Sequence, residues 1–181
     1  MIKTIGHSNQ PIERFLDLLK AGGVKLLVDV RSMPYSRRFP QFGRERLAKS
    51  LAATGVDYVW EGAALGGKGD AYNDVAARQT FQDSLGRLIE RAENTTLCLM
   101  CAEKEPLDCH RTVLVSRRLA ERGAEIEHLL ADGKRKPHTA LEEELLEASD
   151  DGAPDLFTTA EDRGQRLARA WQQRERRMKR A

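Results

Sequence analysis

The sequence predicts an α/β fold: one domain over residues 1–149 with a mainly parallel sheet of about five strands and helices on both faces, a Rossmann-like three-layer sandwich. A linker and basic helical tail follow over residues 150–181. Two observations lead to this reading. Short apolar runs alternate with segments of helical apolar spacing along most of the chain. The runs are rich in Val, Ile and Leu, as in strands covered on both faces, so helices must cross over between parallel strands, normally with right-handed connections.

The elements follow in order. Ile2 to Ile5 reads as the first strand, and Ile12, Phe15, Leu16 and Leu19 mark one face of a helix opened by Pro11. Val24 to Val30 is the second strand, followed by a helix carrying Leu47, Ala48 and Leu51. Val56 to Trp60 is the third, and Phe81, Leu85, Leu88, Ile89 and Ala92 recur at helical spacing after it. Leu97 to Met100 is the fourth. Asp108 is a candidate N-cap for the helix that runs from Cys109 through Ala120 and ends before Gly123. Ile126 to Leu130 gives a fifth strand, and Leu141, Leu145 and Leu146 a further helix.

A length of 181 residues with 40% hydrophobic content suits one ordinary domain plus an appendage. No run approaches a membrane span, MIKTIGHSNQ lacks the charged-then-apolar pattern of a secretory signal, and three cysteines are an odd number, so a reduced cytoplasmic protein without membrane contact is expected. The net charge of +2 conceals an asymmetry: residues 159–181 hold seven Arg and one Lys against three acids, or +5, leaving −3 for the rest. DDGAP at 150–154 reads as a linker. Leu167, Ala170, Trp171 and Met178 give the tail a thin apolar stripe, so it is expected to pack marginally or fray. Such a basic helix offers nucleic acid an electrostatic partner, although a solvated arginine-rich terminus is commoner.

The densest chemistry lies in LCLMCAEKEPLDCHR, residues 97–111, where an apolar strand delivers Cys101 and Glu103 into a loop ending in Cys109, His110 and Arg111. At a helix start, unpaired N–H groups and the positive end of the helix dipole favour a thiolate, and His110 and Arg111 push the same way. Cys98, inside the strand, reads as a small buried hydrophobe. Glu103 and Arg111 are equally readable as a helix-end ion pair.

In open parallel sheets ligands bind beyond the carboxyl ends of the strands. The residues expected at that rim are His7, Ser8 and Asn9 after strand one, Asp29 and Arg31 after strand two, Cys101 and Glu103 after strand four, and His128 near strand five. Arg31 suits a carboxylate or phosphate, and Arg31→Ala is expected to weaken anion binding with little loss of stability. Ser8 and Asn9 serve as well for a helix cap, and Asp29 for a partner of Arg31. The glycine-rich loop Ala64–Tyr72 carries Lys68 and matches no phosphate-cradling pattern, so it reads as a lid or turn. The loop 33–42 mixes arginines with aromatics, so it reads equally as a flank of the site and as a loop packed down by its own aromatics.

These pieces together resemble the family catalogued as domain of unknown function 488: Thr4–Asn9, Asp29-Val30-Arg31 with Pro34 and Ser36, Leu65-Gly66-Gly67 with Tyr72, and Cys101-Ala102-Glu103 with Pro106 and Cys109-His110-Arg111. The resemblance spans about residues 2–130. It implies an α/β sandwich with a mainly parallel sheet and a common site at these positions, and it brings no reaction.

Three function classes follow. The first is a thiol enzyme: Cys109 or Cys101 as nucleophile, His110 or His7 moving the proton, Glu103 beside them, and Arg31, Arg111, Ser8, Asn9, Lys68 and Tyr72 binding a small anionic substrate. A redox variant joins Cys101 to Cys109. The second is a metal site on Cys101, Cys109, His110 and His7, for which C-x7-C-H is an unhelpful spacing; no metal ligand is assigned on that basis. The third is a nucleotide or nucleic-acid module. Cofactor and oligomeric state are not legible in the sequence.

Overall fold

The computed structural model describes residues 1–149 and 160–180. Strands β1 (Ile2–Gly6), β2 (Leu26–Asp29), β3 (Asp57–Trp60), β4 (Leu97–Cys101), β5 (Ile126–Leu129) and β6 (Arg135–Pro137) form one sheet in the order β3-β2-β4-β1-β5-β6. The first five are parallel, and β6 runs antiparallel to β5. The helices are α1 (Ile12–Ala21), α2 (Arg44–Ala52), α3 (Gly62–Leu65), α4 (Tyr72–Ala77), α5 (Gln79–Asn94), α6 (Arg117–Ala120), α7 (His138–Glu147) and α8 (Ala160–Arg180).

The period-two alternation of the strands sorts side chains into two cores. Leu97, Leu99 and Cys101 of β4 point to one face with Phe81, Leu85 and Leu88 of α5, Leu119 of α6 and Leu145 of α7. Cys98 and Met100 point to the other, with Phe15 and Leu19 of α1 and Leu47 and Leu51 of α2. Helices therefore cover both faces, as the apolar runs require. Beyond α1 the chain turns at Gly23, whose φ of +66° is open to glycine at little steric cost.

Four features depart from the sequence reading. A sixth strand, β6, is added by backbone pairing from Glu127↔Pro137 to Leu129↔Arg135, and its sequence Arg-Lys-Pro carries no apolar pattern. Short helices α3 and α4 flank the glycine-rich loop. Pro11, with no side-chain cap from Ser8 or Asn9, precedes α1. The tail neither frays nor packs marginally: Trp171 of α8 is 2% exposed, with its ring 5.8 Å from that of His138 and the Arg117 guanidinium over it. Leu167, Ala170 and Trp171 share one helical face, and the indole supplies the apolar area that the sparse stripe lacked. The linker expected at 150–154 lies outside the described residues. Among the described residues no helix is long and apolar enough to cross a membrane.

Candidate functional site

Strands β1 and β4 are neighbours, but the chain leaving β1 enters α1 on one face while the chain leaving β4 reaches α6 on the other. Their carboxyl ends thus border a topological switch point, where diverging connections leave a crevice. A cleft of about 1160 Å³ opens there, lined by His7, Ser8, Asn9, Arg31, Lys68, Tyr72, Cys101, Glu103 and His110 among others. Pairing continues past the strands and holds the loops together: the His7 N–H donates to Cys101 O at 2.9 Å, Ser8 N–H to Ala102 O at 2.8 Å, and Val30 N–H to Met100 O at 3.1 Å. Gly6 permits this approach, since a Cβ there would lie 1.9 Å from Glu103 O.

At the floor, Cys101 Sγ and Cys109 Sγ each lie 2.9 Å from Glu103 Oε2. His110 Nδ1 is 3.4 Å from Cys101 Sγ, and its Nε2 is 2.9 Å from Val30 O, an acceptor that requires the hydrogen on Nε2. Cys101 borders the cleft, whereas Cys109 is fully buried behind it. Burial alone would oppose charge on Cys109, but the Cys101 thiol, the Arg111 guanidinium and His110 outweigh it and hold its pKa well below the usual thiol range. The opposite holds for Cys101, raised by burial and by its Cys109 neighbour. Burial and then the Cys109 charge raise Glu103, while His110, which burial would lower, is raised overall by its hydrogen bond to Cys109. Negative charge is therefore concentrated on Cys109.

The local backbone explains this placement. Pro106–Asp108 form a 3-10 turn and Cys109 is extended, with φ −132° and ψ 138°. Cys109, rather than Asp108, thus occupies the cap position: its carbonyl accepts from Val113 N–H at 3.0 Å, and its Sγ accepts from Arg111 N–H at 3.4 Å. Asp108 turns outward to Arg174 of α8. The helix then opens with a π-helical turn, Arg111–Ser116, in which Ser116 Oγ donates to Arg111 O. Arg111 is 1% exposed and donates through Nη1 to Glu103 O at 2.6 Å and through Nη2 to Lys104 O at 3.1 Å. Instead of pairing with the Glu103 carboxylate, its guanidinium grips the backbone of the Cys101–Glu103 loop.

Arg31 is committed as well. Its Nε and Nη2 meet the two oxygens of the fully buried Asp29 at 2.9 and 2.6 Å, Nη2 also reaches Phe42 O, and Nη1 donates to His7 Nε2 at 3.1 Å. Tyr58 Oη donates to the same aspartate. His7 donates from Nδ1 to Ser8 O, stacks 4.3 Å from Phe42, and is lowered to about 4, chiefly by burial. Its free lone pair is thus taken by a cation, which suits a neutral positioning group and not a base.

The glycine-rich loop closes onto the cluster. A Cβ at Gly67 would sit 2.6 Å from His110 Cβ, and one at Gly66 2.4 Å from Ser32 Oγ. This contact fixes Lys68 at the mouth. Tyr72, at the loop's end, receives Glu175 of α8 on its backbone N–H at 2.9 Å. The tail also brings Arg174, Arg177 and Met178 to the cleft, and Met33, Tyr35 and Arg38 line it from the loop 33–42. The tail residues carried no local signal of this in the sequence, whereas the mixture of arginines and aromatics in the loop did.

His128 does not reach the rim. It lies within β5, fully buried, with Nδ1 2.7 Å from Thr4 Oγ1 and Nε2 3.0 Å from His138 Nδ1.

A family model described as Domain of unknown function DUF488 matches residues 11–118, a span that begins after Thr4–Asn9 and ends before β5. No curated protein and no solved structure matches the chain.

Proposed function

We propose, for a chain that belongs to the DUF488 family and so arrives with no assigned reaction, that the cleft is the site of thiol chemistry on a small anionic substrate. The observation that carries this reading is the pair of sulfurs held 2.9 Å from one Glu103 oxygen at the floor of a cationic cleft. Cys101 borders the substrate space and is the nucleophile. Cys109, behind it, carries charge stabilised by Arg111 and the Arg111 N–H, and this charge raises the proton affinity of Glu103. Glu103 takes the Cys101 proton, Cys101 Sγ bonds to the electrophilic atom of the substrate, and the bond to the leaving group breaks as Glu103 returns that proton to it. His110, with Nε2–H on Val30 O, stabilises the thiolate in its imidazolium form, when Nδ1–H donates to Cys101 Sγ.

The test is the pH profile of iodoacetamide alkylation at each cysteine, read by mass spectrometry. Cys101 is expected to react only well above the pH at which an ordinary thiol does, and Glu103→Gln or Cys109→Ser, by removing a neighbouring negative charge, should bring it back towards ordinary behaviour. An ordinary profile for Cys101 in the parent refutes the reading.

A second reading is favoured by one further observation: single donor atoms of Cys101, Glu103, Cys109 and His110 lie within 4.8 Å of one another. Two thiolates, an imidazole and a carboxylate suit a tetrahedral soft divalent ion such as zinc, and a backbone carbonyl on the far imidazole nitrogen is the usual support of a metal-bound histidine. Alkylation of both thiols that begins only after a chelator is added identifies this alternative and excludes the first.

A further inference from the structure

We infer that the anion taken by this cleft is a nucleotide, its base lying on the lip formed by Met33, Tyr35 and Phe39 and its phosphate meeting Arg38 and Lys68. The inference rests on the reading of the cleft as a site for anionic substrates and names their class. Among the described residues the exposed large hydrophobics are Met1, Met33 at 60% and Tyr35 at 66%, so two of the three sit on one loop at the cleft's rim. A tyrosine ring and a thioether held in water beside a cavity are an unfilled stacking surface, and every nucleobase offers a matching π face.

Charge points the same way. Of the cations lining the cleft, Arg31 is committed to Asp29, Arg174 to Asp108 and Lys104 to Glu105. Arg38 and Lys68 make no ion pair among the described residues. The Arg38 guanidinium stands 5.6 Å from the Phe39 ring centroid, so one stretch of wall presents an aromatic face and a positive charge together. That pairing fits a flat base next to a phosphate and leaves a bare oxyanion with only half of its partners. Lys68 also lines the cleft, on the loop packed against His110, and its backbone N–H donates to Ser32 Oγ, the residue before Met33. At about 1160 Å³ the cleft is large for a lone phosphate and ample for a nucleoside phosphate.

Isothermal titration of the full chain with AMP, inorganic phosphate and a ten-nucleotide single strand tests this. AMP is expected to bind about tenfold or more tightly than phosphate. Tyr35→Ala should weaken AMP by about tenfold, the scale of one stacked base, and leave phosphate unchanged. Lys68→Ala should weaken both. Tighter, steeply salt-dependent binding of the strand would place the nucleotide unit within a nucleic acid, and preference for AMP would make it free; either supports the inference. Equal affinity for AMP and phosphate, unaltered AMP binding by Tyr35→Ala, or no binding of AMP or strand overturns it. The alkylation profile is read separately: an ordinary Cys101 profile with AMP bound refutes only the thiol reading, and a shifted Cys101 profile with no AMP bound refutes only the nucleotide.

Discussion

Truncating Trp171 should release α8 while leaving the sheet folded. Trp171 buries nearly all of its surface, stacks on His138 and lies under Arg117, whereas Ala170 is the other fully buried residue described in its helix. An indole that buries about 200 Å² at about 25 cal/mol per Å² contributes about 5 kcal/mol, and large-to-small substitutions of this kind cost about 3–5 kcal/mol. Taking about 4 kcal/mol, Trp171→Ala shifts the docking equilibrium of α8 by about a thousandfold. Alone in water, an arginine-rich helix of 21 residues is marginal, so release means unwinding. Hydrogen exchange read by mass spectrometry should show amides of 160–180 losing protection while those of β1 and β4 keep theirs. Loss of the Arg174 bond to Leu107 O and of the Glu175 bond to Tyr72 N–H should also speed alkylation of Cys101. Protection of α8 equal to the parent's would refute the reasoning, and Trp171→Phe should retain most of it.

Two other outcomes are expected. Arg31→Ala strands the buried Asp29 carboxylate and should cost about 3–5 kcal/mol in urea unfolding, with Asp29→Asn in the same chain restoring part of it; a loss under 1 kcal/mol would make the ion pair incidental. This replaces the small stability effect expected from sequence. The second concerns His138, which burial lowers to about 4 against 6.5 when unfolded. The unfolded chain therefore takes up a proton first as pH falls, so this stability is fully present above about pH 6.5 and is lost towards pH 4, by up to about 3 kcal/mol. His128 and Glu142 face the same ring and titrate too, so the measurement is the difference between the parent and His138→Gln. Identical pH slopes would refute it.

Strands β1, β2, β4 and β5 were legible because apolar runs buried on two faces have few other uses, and the rim residues followed from the strand ends. Strand β6 was not, because an edge strand of Arg-Lys-Pro is specified by backbone pairing with β5 and by no side-chain period. The docking of α8 was hidden because one tryptophan supplies what a helical stripe usually supplies with four or five residues. The Asp29–Arg31 pair could be read, since positions i and i+2 of a strand share a face. What could not be read is that Phe42 O and His7, distant in sequence, complete the shell around Arg31. For Cys109 the local spacing favoured Asp108 as cap, and the 3-10 turn at Pro106 moved the helix start by one residue.

The π-helical turn at Arg111–Ser116 acts as a register device. It holds one residue more than an α-helical path needs, and each residue of a helix turns the chain by about 100°. Deleting one residue within it would restore a regular α-helical path and leave the segments on either side in register, so α6 would keep its seat against α5 and Cys109 and His110 theirs beside Cys101 and Glu103. Chains that share this helix but lack the extra residue should therefore retain both the scaffold and the four-atom cluster, so the length of this one turn is free to vary where the cluster is not.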